Sequence, residues 1–496
     1  MATGDGQTAT AREPSFGRPT SNRDTAPMRL LHTADIHLGF KTYGRRDSET
    51  GLNTRLLDVR RSFEFVVEQA LDEDIDAFLF CGDAYHTADP TPTQQKIFAE
   101  CLQPIADADI PIILVVGNHD HPVTFGRASS LDIFEYLDGD VHFFRKPEPA
   151  VRVIETKSGP LQFIPLPWPI RSQILTKDEY RKMKPDALRQ FIEERYVEYV
   201  QRRADDVRTE QMGVTAGGDD VPLSPDRPTV LGGHVTVQGS VMAGSERTSL
   251  ISSEPKFTVG QLAVAPIDYV ALGHIHHPQN RNPDGHPPVV YAGSIERVTF
   301  KERDEEKGFY VADIEAGRPG AGAGHRKAAD RDTMDRDASN RDASNRDASA
   351  SGSAAPAGSR TRVRFVETPA RPFVAVHVDA RETEDPTQKI LDALDGVDVT
   401  DAIVRVRYHV AESQIAQVDP GRIRTALEGA DKIAAIERTV DPAERKRRTV
   451  VTRESDLADA MRQYVGQHDE LTDLEDDLVD AALDLQSELE ADDPDA

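Results

Sequence analysis

Between residues 28 and 315 the hydrophobic positions fall into short unbroken runs, separated by longer amphipathic stretches. The runs predict strands at 29–34, 77–81, 112–116, 161–165, 229–233, 269–272, 289–291 and 308–314. Several show no polar alternation, which is the pattern of strands covered on both faces. Stretches such as 54–71 and 91–102 carry helical spacing instead. Strands alternating with helices predict an α/β fold, a layered sandwich with helices outside.

The pattern stops at about residue 316. From there to 359 the chain is mostly Gly, Ala, Ser, Asp and Arg, and from Arg331 a pentapeptide recurs as RDTMD, RDASN, RDASN, RDASA. A segment with so few large apolar residues cannot offset its ordering entropy, so 316–360 is expected to be a disordered linker. Patterning resumes at 361–440. In the predicted strand 402–410, Val404, Val406, Tyr408 and Val410 alternate with Arg405, Arg407 and His409. Helical stretches at 385–394 and 419–427 complete a small α+β cap domain. The remainder, 441–496, holds the basic cluster Arg445–Lys446–Arg447–Arg448 and two predicted helices, 455–465 and 471–489. In the second helix Leu471, Leu474, Leu478, Ala482, Leu485 and Leu489 make an apolar stripe on an acidic surface. Residues 1–27 lack the apolar core of a secretory signal and read as a disordered extension, with Met28 a candidate native start.

Charge narrows the setting. The 86 acidic residues outnumber the 59 basic ones, for a net charge of −27. Thirteen of the acids lie in 463–496, where there is no Lys or Arg. Only 14 of the 59 cations are lysine, and high acid with scarce lysine points to a halophilic interior. The plainer alternative is an ordinary acidic protein with an acidic tail. Two cysteines, Cys81 and Cys101, exclude a disulfide framework and suit a reducing cytoplasm. No run approaches the roughly 20 apolar residues that span a bilayer.

Five short polar motifs follow predicted strands: Asp35-Ile36-His37, Gly82-Asp83, Gly117-Asn118-His119-Asp120, Gly233-His234 and Gly273-His274-Ile275-His276. Loops at the carboxyl ends of strands converge in open α/β sheets, so these residues can meet. Aspartate, asparagine and histidine together suit Mn²⁺, Fe²⁺ or Zn²⁺ better than Ca²⁺, which takes oxygen only. In D-x-H and H-x-H on extended backbone, residues i and i+2 share one side. A lone Gly-Asp is usually a turn and a lone histidine usually structural; the five motifs in order carry the weight.

These motifs are the signature of the calcineurin-like metallophosphoesterases. LLHTADIHLG, FLFCGDAYHTADPTP, VVGNHD, YVALGHIHHPQ and YAGSIERVTFKERDEEKGF further resemble the nucleases called meiotic recombination eleven in archaea and eukaryotes and SbcD in bacteria. The resemblance implies an archaeal DNA double-strand-break repair nuclease, cytoplasmic and nucleoid-associated, with two Mn²⁺ ions per chain. It is strong over 28–315; beyond that it extends only to the layout of a DNA-binding cap and ATPase-binding helices.

By that resemblance Asp35, His37, Asp83 and His276 would hold one metal, and Asp83, Asn118, His234 and His274 the other, with Asp83 bridging. His119 would stabilise the transition state or protonate the leaving 3′ oxygen, and His86 would orient the phosphate. Asp120 is expected to orient His119, and His277 to be structural. Tyr43, Arg45 and Arg46 read equally as DNA contacts or as a solvated loop. The implied activities are 3′→5′ exonuclease on duplex ends and endonuclease on single strands. The implied partners are an SMC-like ABC ATPase and a second copy of the chain; Ile97, Phe98, Leu131 and Phe134 are the local dimer candidates, and could equally face the domain's own core. Two other readings stand beside this one: a phosphatase or cyclic-nucleotide phosphodiesterase, and a mainly structural DNA-end tether.

Overall fold

The computed structural model describes residues 27–121, 128–136, 139–169, 183–244, 254–315, 361–440, 457–465, 476 and 478–483. The expected N-terminal extension up to residue 26, the linker 316–360, the basic cluster 445–448 and most of the expected helix 471–489 lie outside them.

The first four strands, β1 (Met28–Thr33), β2 (Ala77–Cys81), β3 (Ile112–Val115) and β4 (Val141–Phe144), lie side by side and parallel. The chain then builds a second sheet from β5 (Arg152–Thr156), β6 (Gly159–Leu166), β7 (Met212–Val214), β8 (Asp220–Pro222), β9 (Thr229–His234), β12 (Tyr269–Gly273), β13 (Gln279–Asn280) and β14 (Val289–Tyr291). Between β9 and β12, β10 (Thr236–Val237) and β11 (Lys256–Phe257) pair as a short ribbon. The chain returns to the first sheet with β15 (Gly308–Ile314), antiparallel to β1, and β16 (Thr361–Glu367), antiparallel to β15. The edge strand of this sheet therefore comes from the segment that begins the expected cap.

The sheets pack face to face with helices on both outer sides. In β2, Phe78 and Phe80 point to the helices, while Ala77, Leu79 and Cys81 point to the second sheet. Both faces are apolar, which is why these strands read as unbroken runs. Helices α1 (Thr54–Asp72) and α2 (Pro92–Asp107) cover the first sheet. Asn53 caps α1, and Thr91 with Gln94 forms a capping box ahead of Pro92 on α2. Helix α3 (Pro185–Arg208) covers the second sheet through Leu188, Ile192, Tyr196, Val200 and Val207. This is the expected α/β sandwich.

Phe98 of α2 sits among Phe63, Phe80, Tyr85 and Phe134, with ring centroids 5.2–5.8 Å away. Ile97, Phe98, Leu131 and Phe134 are thus all in the domain's own core. These residues could have faced either a partner or the domain's own core, and they face the core: an apolar helical stripe marks a buried face without saying what buries it.

Three further strands, β17 (Phe373–Asp379), β18 (Ile403–Val410) and β19 (Lys432–Val440), form a three-stranded sheet. The chain divides into one compact unit of Met1–His377, Ala393–Arg407 and Pro420–Glu437, and another of Val378–Asp392, Tyr408–Asp419 and Arg438–Ala496. Within the first unit, Phe300, Phe373 and Ile403 share a small core with Tyr43 against it. Tyr43 takes a hydrogen bond from Arg405 at 2.9 Å, and Arg45 pairs with Asp431 at 2.9 Å. Tyr43 thus packs within the unit, whereas Arg45, Arg46 and most of residues 41–51 are exposed, as a solvated loop would be. Among the described residues no helix is long and apolar enough to cross a membrane.

Candidate metal centre

β1, β2 and β3 of one sheet and β9 and β12 of the other end at a common rim, because their registers run in step and the sheets share a core. Asp35 and His37 follow β1, Asp83 and His86 follow β2, and Asn118 and His119 follow β3; His234 closes β9, while His274 and His276 follow β12.

The backbone here is not extended, as the i, i+2 argument had assumed. Asp35, His37, Asp83 and His274 have φ of 52°, 48°, 60° and 95°. Left-handed backbone costs about 1–3 kcal/mol at each such residue, so the surroundings must impose it. The loop after β1 runs beside the loop after β2, with Asp35 N donating to Gly82 O at 2.9 Å and His37 N to Asp83 O at 3.0 Å. The buried Asp120 carboxylate accepts from Asp83 N at 2.8 Å, Ala84 N at 2.9 Å and Gly117 N at 3.0 Å. Asp120 therefore ties two ligand loops together and does not orient His119. Gly82 has φ of 90°, and a Cβ there would fall 2.3 Å from His234 Nδ1.

All seven candidate ligands come together. Asp35, His37 and His276 offer donor atoms within 4.8 Å of one another, as do Asp35, Asp83 and His234. Nε2 of His37 lies 2.9 Å from Nε2 of His276. Asn118 Oδ1 lies 2.9 Å from His234 Nε2 and 3.0 Å from His274 Nδ1. Asp83 faces both groups, with Oδ2 3.6 Å from His37 Nε2 and Oδ1 3.5 Å from His234 Nε2.

The donor set fits divalent cations. His234 presents Nδ1 to the Cys81 carbonyl at 2.7 Å, so that nitrogen carries the hydrogen. Its Nε2 lone pair then faces the oxygens of Asn118 and Asp83. His274 presents Nε2 to Glu254 at 3.0 Å, which turns its Nδ1 lone pair onto Asn118 Oδ1. Lone pairs facing lone pairs repel unless positive charge lies among them.

The titration behaviour agrees. Burial pushes Asp83 up, but His234, His119 and His37 hold it well below the usual carboxylate range. Burial lowers His234, yet Asp83 and Asp35 bring it to about 9. A proton on His234 is one way to supply the charge, and a metal ion is the other. Burial raises Asp35 and drives His37 well down, with His276 adding to the second effect.

His119 donates its backbone N–H to Asp83 Oδ1 at 2.8 Å, and its Nδ1 lies 2.8 Å from the His86 carbonyl. That contact places the hydrogen on Nδ1 and leaves Nε2 for proton exchange. Ring atoms of His37, His86 and His119 cluster within 4.8 Å, so His86 lies beside the centre.

Four residues near the centre escaped the sequence reading. Glu254 contacts His274; Glu302 Oε1 lies 3.6 Å from His276 Nδ1; Lys307 pairs with Glu302 at 3.1 Å. Trp168 places its ring centroid 5.0 Å from that of His274. Glu302 and Lys307 fall in the segment YAGSIERVTFKERDEEKGF, whose resemblance was the one available signal.

A family model described as calcineurin-like phosphoesterase matches residues 28–278, just over half of the chain. The SbcD component of the SbcCD nuclease of Staphylococcus epidermidis is 26% identical over 296 residues, which is 58% of this chain and 66% of that protein. Among solved structures, a Thermus thermophilus protein aligns at 12% identity and a TM-score of 0.29, covering 57% of this chain and 93% of that one. A dimetal phosphatase from Danio rerio aligns at 11% identity and a TM-score of 0.30, covering 58% and 93%.

Proposed function

This chain belongs to the calcineurin-like phosphoesterase family, and on that premise we propose that it is a two-metal nuclease acting on DNA. The observation that carries the two-metal part is Asp83, whose two carboxylate oxygens face different histidine groups at 3.6 and 3.5 Å. In this reading Asp35, His37, Asp83 and His276 hold one Mn²⁺, and Asp83, Asn118, His234 and His274 hold the other. Two such ions would neutralise the scissile phosphate and supply a hydroxide nucleophile near neutral pH. His119, with its hydrogen directed to the His86 carbonyl, carries at Nε2 a proton for the leaving 3′ oxygen. His86 stands beside it to orient the phosphate.

Three things support DNA as substrate: the 26% identity to an SbcD nuclease component, the three-stranded sheet β17–β19 that follows β16, and the non-ligand segment that contains Glu302 and Lys307. The match spans 66% of that relative, so the finer activities are part of the proposal. They are 3′→5′ exonuclease on duplex ends, endonuclease on single strands, assembly with an SMC-like ATPase through the C-terminal helices, and a homodimer. Labelled duplex and single-stranded DNA with Mn²⁺, run beside bis-p-nitrophenyl phosphate, test the reading. Hydrolysis of all three, abolished by EDTA, is expected. Hydrolysis of the small diester with both DNAs intact would remove the DNA reading and keep the family chemistry.

A further inference from the structure

Each histidine of the H-x-H pair has its own buried glutamate behind it. Glu254 Oε2 lies 3.0 Å from Nε2 of His274, on the side of the ring away from Asn118. Glu302 Oε1 lies 3.6 Å from Nδ1 of His276, whose Nε2 faces His37. The glutamates come from different places: Glu254 just precedes β11, and Glu302 ends a 3-10 turn before β15. Both are held. Glu254 Oε2 accepts from Thr236 Oγ1 at 3.4 Å. Glu302 Oε2 accepts from Val298 N at 2.9 Å and lies 3.1 Å from Lys307 Nζ. The same Nζ donates to Ser294 Oγ at 3.0 Å and to the His276 carbonyl at 3.3 Å. Lys307 thus holds His276 by its backbone, while Glu302 Oε1 stands beside the ring at 3.6 Å, an ionic contact rather than a hydrogen bond.

We propose that Glu254 and Glu302 are positioning residues, each tuning one of the two metal positions independently of the other. The inference rests on the two-metal reading of the site. A carboxylate on the far nitrogen keeps the hydrogen there, aims the lone pair of the near nitrogen at the centre, and makes that nitrogen more basic. Glu254 does this for His274, on the side shared with His234 and Asn118. Glu302 does it for His276 through its charge, from 3.6 Å, on the side shared with Asp35 and His37. A buried carboxylate is costly to desolvate, and Lys307 offsets that cost for Glu302.

The test is Mn²⁺ binding to the whole chain, followed by the electron paramagnetic resonance of free Mn²⁺, with melting temperatures of the metal-free proteins alongside. Wild type should bind two ions. Glu254→Gln and Glu302→Gln should each keep one ion at wild-type affinity and bind the other about 10- to 100-fold more weakly. The double variant should weaken both. Glu302→Gln leaves Lys307 with Glu305 at 2.9 Å, and Glu302→Gln with Lys307→Met removes any charge imbalance. That pair should still show one weakened ion; restored binding would make Glu302 a charge partner only and overturn the proposal. Unchanged affinity in both single variants, or equal weakening of both ions by either one, would also overturn it. A wild type that binds fewer than two ions would sink the two-metal reading itself.

Discussion

Asp120→Asn is a nearly isosteric change that isolates the role the structure gives this carboxylate. In the wild type Oδ2 accepts from Asp83 N at 2.8 Å and Gly117 N at 3.0 Å, and Oδ1 accepts from Ala84 N at 2.9 Å and Tyr85 N at 3.4 Å. Whichever oxygen becomes the amide nitrogen, two backbone donors then face a donor. Leaving a buried N–H unpaired costs about 1–3 kcal/mol, so two cost about 2–6 kcal/mol. For a domain of this size, about 2–4 °C per kcal/mol makes the drop in melting temperature at least ~4 °C. The measurement belongs in EDTA at pH 8. Burial and the charge of Asp83 push Asp120 up to about 6, so at pH 8 the wild type carries the charged acceptor. The loops released are those of Asp83 and Asn118, so the extra melting temperature gained on adding Mn²⁺ should shrink as well. If Asp120 instead oriented His119, turnover would fall while the metal-free melting temperature stayed at the wild-type value. That result would refute the argument.

Asp83→Ala should abolish hydrolysis and metal loading together, whereas His119→Leu should keep both metals and lose most turnover; metal analysis separates them, and equal metal loss in both would make His119 a ligand. Trp168 is the single tryptophan, with ring centroids 5.0 Å from His274 and 6.1 Å from His234. Its fluorescence should be quenched on Mn²⁺ loading and not in Asp83→Ala; unchanged wild-type emission at saturation would contradict the site. Ile314 pairs with Thr361, so deleting 320–358 leaves 315–319 and 359–360 to close a hairpin between them. The melting temperature should not fall, and a large drop would mean the deleted segment packs against the domain. Truncation after Arg453, or Leu478→Asp alone, should keep Mn²⁺-dependent hydrolysis and lose ATPase co-purification; retained binding in both would defeat the partner proposal.

Much of the fold was legible because its central strands are buried on both faces. Runs such as 77–81 and 112–116 had to be apolar throughout, and the polar motifs after them had to be loops. The motifs Gly82-Asp83, Gly117-Asn118-His119-Asp120 and Gly273-His274-Ile275-His276 therefore announced themselves by position as well as by residue type. Helix α3 was missed because it buries about one residue per turn, Leu188, Ile192, Tyr196 and Val200, among many charges. The register that makes β16 an edge strand depends on partners 47 to 59 residues back, which local pattern cannot encode. Tertiary structure alone decided what the site residues do to one another. The left-handed backbone at Asp35, His37 and Asp83 is a conformation that Asp and His tolerate better than most residues, but neighbouring loops select it. Asp120 looked like a partner of His119 because it is next in sequence, yet its carboxylate serves the loop of Asp83, 37 residues away. Glu254 and Glu302 carry no local mark of their contact with His274 and His276. Sequence patterning records which side chains leave water, whereas hydrogen-bond partners depend on where distant loops meet, and only the packed sheets bring those loops to one rim.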